Sequence, residues 1–294
     1  MSEEWTIKRM LHWSDAFLGR HGSTSPRLDA ELLLGEALSM RRLDLYMHFD
    51  RPLQADELAV YKALVRRRSR HEPVAYILGR KGFHAIELAV GKGVLVPRPE
   101  TESLVDQVLS FAARDDAPTG PVLDLCTGSG AISLALAEAW RQIEAPRAIV
   151  GTDISETCLE WARRNHAEVA PPSTLDWRQG DLFEAIDDGE RFAIIVSNPP
   201  YIRRDVLAQL EPTVRDHEPA LALDGGEQGL DVLLRIIAGA VAHLLPGGLL
   251  AMELGSRAQG EDLIAAATAA GLVDGAQQPV GPGPTAIFTA RAPG

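Results

Sequence analysis

VLDLCTGSGAISLALA, residues Val122–Ala137, passes from a short apolar-framed segment through a glycine-bearing turn into a run of small apolar residues. A strand that meets such a turn and opens at once into a helix is the first unit of a parallel sheet. Glycine permits the tight turn and brings free amides to the helix start. The chain then repeats this texture. The pattern predicts strands at Val122–Cys126, Ala148–Asp153, Phe192–Ser197 and Leu249–Leu254, and helices at Ala131–Trp140, Glu156–Ala167, Leu230–Leu244 and Glu261–Ala270. Alternation of this kind implies an α/β fold, a doubly wound and mostly parallel sheet with helices on both faces. Ligands of such sheets sit beyond the carboxyl ends of the strands.

Up to about Pro73 the periodicity is helical. Ser25-Pro26 offers an N-cap with proline at the first helical position, followed by an apolar stripe of Leu28, Leu32, Leu33, Leu34, Ala37 and Leu38. A further helix is predicted over Ala55–Arg70, with Leu58, Tyr61, Leu64 and Val65 on one face. The basic run Arg66–Arg70 reads as a solvated helix face near a C-terminus, with contact to RNA or a protein as the alternative. From Gly82 alternation through Phe83, Ala85, Ile86, Leu88 and Val90 predicts a hairpin, and helical spacing returns over Glu100–Arg114. The expected organisation is an N-terminal helical domain over 1–80, a hairpin linker over 81–99 and a larger α/β domain over 100–294.

Composition narrows the class. Of 294 residues, 46% are hydrophobic and 24% charged, the usage of an ordinary globular protein. A net charge of −12 weighs against nonspecific binding to nucleic acid or anionic membranes. Two cysteines, Cys126 and Cys158, are too few for a disulfide framework and suit a reducing compartment. The start MSEEWTIKRML lacks the apolar core of a secretory signal, and no apolar run approaches the roughly 20 residues that span a bilayer. A cytoplasmic protein, favoured as a monomer, without a membrane partner, a metal site or direct nucleic-acid binding, is expected.

The chemistry collects at strand ends. Asp124 and the loop Thr127-Gly128-Ser129-Gly130 close the first strand, and Asp153 closes the second, placed where an acid accepts hydrogen bonds from ribose hydroxyls. Together they imply a nucleoside cofactor. The spacing alone also nearly matches a dinucleotide fingerprint. Asp181 reads either as a partner for an adenine amino group or as a helix N-cap. The discriminating stretch is Asn198-Pro199-Pro200-Tyr201, after the Phe192–Ser197 strand. Proline donates no backbone hydrogen bond and pushes the preceding residue to extended geometry. The Asn198 side-chain oxygen and the Pro199 carbonyl thereby become paired acceptors for an NH2 group, and Tyr201 offers a flat face to a planar acceptor. A carboxamide or aromatic amine is a poor nucleophile because its lone pair is delocalised. Gripping both hydrogens favours a pyramidal nitrogen that can attack the sulfonium methyl of S-adenosylmethionine, and catalysis is then mainly positioning.

With these residues in view, the chain resembles the class I S-adenosylmethionine-dependent methyltransferases that act on amide or exocyclic amino nitrogens, and more narrowly the HemK/PrmC family of release factor glutamine methyltransferases. The resemblance rests on SPRLDAELLL, RRRSRHEPVAYILGRKGF, VPRPETE, DLCTGSGAISLALA, SNPPYI, HEPALALDGGEQGLD and LLPGGLLAMELG. It implies methylation of the glutamine side-chain nitrogen in the Gly-Gly-Gln loop of class I peptide chain release factors. It also implies that Asn198 and the Pro199 carbonyl hold that amide, that Pro200 and Tyr201 shape the pocket, and that Cys126 to Gly130, Asp153 and Leu182 line the cofactor. The helical module would help dock the release factor. Cys126 stands where the family usually carries the first loop glycine, and Leu182 where some members carry tryptophan. The tract QPVGPGPTAIFTAR lacks the acid, glycine and arginine pattern expected near the last hairpin. Methylation of RNA, DNA or a ribosomal-protein glutamine is the alternative, with Arg203-Arg204 as phosphate contacts in the nucleic-acid case.

Overall fold

The computed structural model describes residues 4–141 and 147–294. The first three residues of the amino-terminal stretch read above lie outside it. The chain divides into two compact units, one of residues 1–80 with 211–217, the other of 81–210 with 218–294. The hairpin expected to stand between two domains groups with the second unit.

The first unit is helical. Helices at Ile7–Arg20, Pro26–Leu38, Arg42–Met47, Ala55–Arg68 and Val74–Leu78 enclose a core that includes Ile7, Leu11, Leu33, Leu34, Tyr61 and Val65. Three local expectations change. Ser25 occupies the N-cap position of the second helix without a side-chain cap bond, and the nearby Ser23 hydroxyl donates to Asp29 instead. Leu28 points outward, while Ala30 and Glu31 turn inward on the same helix. Arg68 is not a solvated cation but a buried one: its guanidinium meets Asp29 at 2.6 Å and Thr213 Oγ1 at 3.0 Å. A buried charge is tolerated only when paired in this way.

A short two-stranded sheet, β1 (Arg80–Phe83) and β2 (Ile86–Ala89), precedes the main one. The main sheet holds β3 (Val122–Leu125), β4 (Ile149–Asp153), β5 (Leu175–Gln179), β6 (Phe192–Ser197), β7 (Leu244–Leu254), β8 (Val273–Pro279) and β9 (Ala286–Arg291). Their spatial order is β5-β4-β3-β6-β7-β9-β8. The strands from β5 to β7 in that order run parallel, and β9 is antiparallel to both neighbours. The four predicted strands all lie in the interior of this sheet, as does β9, which the pattern missed. Two of the three missed ones, β5 and β8, are its edges, half exposed and largely polar, so no apolar run betrays them.

This order fixes where a ligand goes. The chain winds outward from β3 through β4 to β5, then returns to lay β6 on the other side of β3. A crevice opens at that reversal, outside the carboxyl ends of β3 and β6. Register levels the strand ends, because Leu125 pairs with both Thr152 and Ser197, and Asp153 with Gln179. Whatever follows those positions in sequence is brought to one rim. Gly151 and Gly130 make room beneath it. A Cβ on Gly151 would come within 2.4 Å of the Trp177 ring, and one on Gly130 within 3.0 Å.

Candidate active site

A cavity of about 320 Å³ occupies that rim, entirely within the second unit. Cys126, Thr127, Gly128 and Ser129 line it from the end of β3, Asp153 from β4, and Asp181 and Leu182 from beyond β5. Asn198 and Pro200 line it from β6. Asp124, Gly130, Pro199 and Tyr201 do not.

Three of these absences have a physical reason, and nothing in the structure explains that of Pro199. Asp124 is fully buried beneath the loop, where its Oδ2 accepts from the Thr127 hydroxyl at 2.6 Å and from the Ser133 hydroxyl and amide at 2.7 and 3.2 Å. It ties the loop to the first turn of the following helix. Burial raises its pKa to about 6, against the pull of those bonds, and its Oδ1 has no hydrogen-bond partner among the described residues. Gly130 faces Trp177 and the helix behind it. Tyr201 points away from the reaction space: its hydroxyl donates to Glu253 Oε1 at 2.9 Å, its carbonyl accepts from Gln259, and its ring lies against Gly255. The hydroxyl and one ring edge thus anchor the turn.

Asp153 holds the loop as well as the rim. Its Oδ2 accepts from the Gly128 amide and its Oδ1 from the Ser155 amide, both at 2.9 Å. A carboxylate can accept further bonds beyond these two amides, and the Cys158 thiol is a third donor within its reach. Burial raises its pKa, and the two backbone amides oppose the rise. Asp181 is the N-cap residue of a short 3-10 turn, Leu182–Ala185, without capping it through its side chain; the carboxylate instead meets Arg235 at 2.9 Å.

Two non-glycine residues at the rim sit in left-handed backbone, Cys126 at φ 58° and Leu182 at φ 55°. That conformation costs about 1–2 kcal/mol for a residue with a Cβ. Strain of this kind persists only where the surroundings enforce it, and ligand sites are where it collects. The Cys126 thiol is held protonated, because burial and the nearby Asp153 carboxylate raise its pKa.

The residues present fit a nucleoside carrying a charged tail. Asp153 could supply ribose acceptors, Ile154 and Leu182 apolar walls for a planar base, and the Gly128 loop a close approach of backbone to the centre. At the far side the Asn198 amide nitrogen donates to Thr101 Oγ1 at 3.0 Å. Its oxygen accepts no hydrogen bond among the described residues. Thr101, Arg98 and Glu253 were not singled out from sequence as site residues, although PRPETE and ELG lie within the stretches that carry the resemblance. Arg98 lines the cavity and meets the buried Glu218 at 2.6 Å. Arg203 and Arg204, weighed above as phosphate contacts, are paired with Asp205 and Asp224.

Among the described residues no helix is long and apolar enough to cross a membrane. The PrmC N-terminal domain family model matches residues 9–79, and the Methyltransferase domain model matches residues 122–215. A Release factor glutamine methyltransferase of Geobacter sulfurreducens is 42% identical over 254 residues, 86% of this chain and 85% of that one. Another from Rhodopirellula baltica is 38% identical over 252 residues, 85% and 84% of the two chains. Among solved structures, the hMettl16 catalytic domain in complex with MAT2A 3′UTR hairpin 6 shares the fold at a TM-score of 0.56, with 14% identity over 78% of this chain and 81% of that one. With a parallel sheet whose reversal point carries the Gly128 loop, Asp153 and Asn198 on one rim, and with relatives of that identity over most of their length, the chain has the class I methyltransferase fold and belongs to the release factor glutamine methyltransferases.

Proposed function

We propose that Asn198 Oδ1 and the Pro199 carbonyl grip the side-chain NH2 of the glutamine in the Gly-Gly-Gln loop of a class I release factor, at the mouth of a cofactor pocket lined by Cys126–Ser129, Asp153, Asp181 and Leu182. The observation that carries this reading is the orientation of Asn198: its nitrogen is tied back to Thr101, which leaves its oxygen for the cavity that also holds Asp153 and Gly128.

S-adenosylmethionine supplies, when bound, a methyl carried on a positive sulfur. Asp153 holds the ribose, and the Gly128 loop admits the cofactor close to the sheet. Asn198 and Pro199 draw both amide hydrogens into fixed acceptors and turn the nitrogen lone pair toward the methyl. This nitrogen would take the methyl from the bound cofactor's sulfur, and the methylated nitrogen would release one proton to solvent, so no side-chain base is required. Pro200 closes the wall beside the acceptor, and Tyr201 keeps the turn from moving. Positioning supplies the rate. The pairing of Arg203 and Arg204 with carboxylates favours a protein substrate over a phosphate-bearing one. Release factors act in the cytoplasm, and an enzyme that modifies them belongs there.

The test is mass spectrometry of a class I release factor incubated with the protein and S-adenosylmethionine, beside the same factor with its Gly-Gly-Gln glutamine replaced. One methyl on that glutamine, none on the replaced factor, and a loss of roughly ten- to hundredfold in rate for Asn198→Ala are expected. Near-normal turnover by Asn198→Ala would refute the assigned grip.

A further inference from the structure

Two polar residues are buried behind Asn198, where apolar ones would cost less. Thr101, 3% exposed, lies in the first turn of the Pro99–Ala112 helix, and Glu253, 1% exposed, lies near the end of β7. The β6 and β7 registers run in step through Ser197 and Met252, so Asn198 and Glu253 are the next residues along adjacent strands. The Thr101 hydroxyl stands between them. It donates to Glu253 Oε2 at 2.6 Å and accepts from Asn198 Nδ2 at 3.0 Å, while Glu253 Oε1 accepts the Tyr201 hydroxyl at 2.9 Å.

With Glu253 ionised the direction of these bonds is fixed; burial raises its pKa, and the Thr101 and Tyr201 hydroxyls that donate to it oppose the rise. A hydroxyl has one proton, and a carboxylate can only accept. Thr101 therefore gives its proton to Glu253 and presents lone pairs to Asn198, which must answer with its NH2. An amide carries oxygen and nitrogen on opposite arms of one carbon, so fixing the nitrogen toward Thr101 turns the oxygen the other way. Without this constraint the two orientations of a carboxamide differ little in shape, and half of them would face a substrate NH2 with another NH2.

We propose that Glu253 is a positioning residue, which through the Thr101 hydroxyl sets the end of the Asn198 amide that faces the reaction cavity. Tyr201 belongs to the same device, since its hydroxyl fills the second oxygen of Glu253 and keeps that carboxylate from rotating. The inference rests on the reading of Asn198 as the acceptor of the substrate amide. A glutamine at 253 would break the logic without changing its shape: its NH2 can donate to Thr101, whose proton is then free to turn toward Asn198 and capture the oxygen instead.

The experiment compares Thr101→Val, Thr101→Ser and Glu253→Gln in the full chain. Methyl transfer to a release factor gives kcat and KM, calorimetry gives S-adenosylmethionine affinity, and the side-chain amide signal of Asn198, assigned by its disappearance in Asn198→Ala, gives proton exchange. Thr101→Val and Glu253→Gln are expected to lower kcat by about tenfold or more, with cofactor Kd within about twofold of the original. Thr101→Ser restores most of that loss, because it restores the hydroxyl. The double variant Thr101→Val/Asn198→Ala is no slower than Asn198→Ala alone, since the relay acts only through Asn198. Asn198 amide protons exchange slowly in the unaltered protein and faster in Thr101→Val. Full kcat in Thr101→Val, or multiplied losses in the double variant, would overturn the proposal. If the unaltered protein transfers no methyl to the glutamine, the substrate reading fails by itself, and the exchange of the Asn198 amide alone decides the relay. Unprotected protons there overturn it, including in the case where Thr101→Val does not fold.

Discussion

Replacing Asp153 by alanine separates the duty that the structure gives its carboxylate, holding the loop, from the ribose contact proposed for it. Its oxygens hold the Gly128 and Ser155 amides at 2.9 Å each, so part of its value is to the fold. Hydrogen bonds to a charged acceptor contribute about 1.5–3 kcal/mol apiece. Against this stands the cost of burying the carboxylate, which shows in its raised pKa. The net stability loss on truncation is expected at about 1–3 kcal/mol, a drop of several degrees in Tm for a domain of this size. The second duty would be to the cofactor. If the remaining acceptor capacity of Asp153 meets the two ribose hydroxyls as proposed, the pair should contribute about 3 kcal/mol, roughly two orders of magnitude in Kd. Asp153→Asn keeps one acceptor and should fall between, near tenfold. Calorimetric titration with S-adenosylmethionine, at a temperature where every variant is folded, reads this directly. A Tm lowered as described together with a cofactor Kd unchanged within about threefold would show that Asp153 only clamps the loop, and the ribose contact would have to be withdrawn.

Two further substitutions probe the same rim. Cys126→Gly removes a Cβ from left-handed backbone at φ 58° but frees the unfolded chain, and the two effects of about 1 kcal/mol nearly cancel. Thermal melting should move by only a few degrees, with cofactor affinity kept or improved; a tenfold weaker Kd would mean the thiol itself contacts the cofactor. Asp124→Asn tests a pH dependence. The folded carboxyl titrates near 6 against an ordinary 3.8, so the folded state binds its proton more tightly, and the penalty of burying the charge appears as pH rises from about 4 and is complete above about 6. The stability of Asp124→Asn relative to the original should therefore improve by up to about 3 kcal/mol between pH 4 and 7. Urea melts at several pH values check this, and a constant difference would contradict the assigned cause.

Much was legible in the chain itself. The interior strands β3, β4 and β6 are buried throughout, so their apolar runs mark them without help, and glycine or proline at their ends marks the turns; β9, also interior, was missed, its apolar run broken by Thr289 and Arg291. Thr127 to Ser129, Asp153, Asp181 and Asn198 could be named because a parallel sheet delivers strand ends to one rim, and Cys126 and Leu182 from the family resemblance. The edge strands β5 and β8 escaped because an edge needs no continuous apolar face. What sequence could not supply was direction. Asp124 and Tyr201 sit beside site residues in the chain, yet Asp124 is buried behind the loop and Tyr201 turns its hydroxyl to Glu253. Thr101 and Glu253 are separated from Asn198 by long stretches of chain, and only the β6–β7 register and the packing of the Pro99–Ala112 helix bring them together. Local sequence fixes which backbone ends a strand and which residue follows it. The side a side chain faces, and the partner that orients it, depend on groups distant in the chain, so tertiary structure alone decided the polarity of the amide on which the chemistry turns.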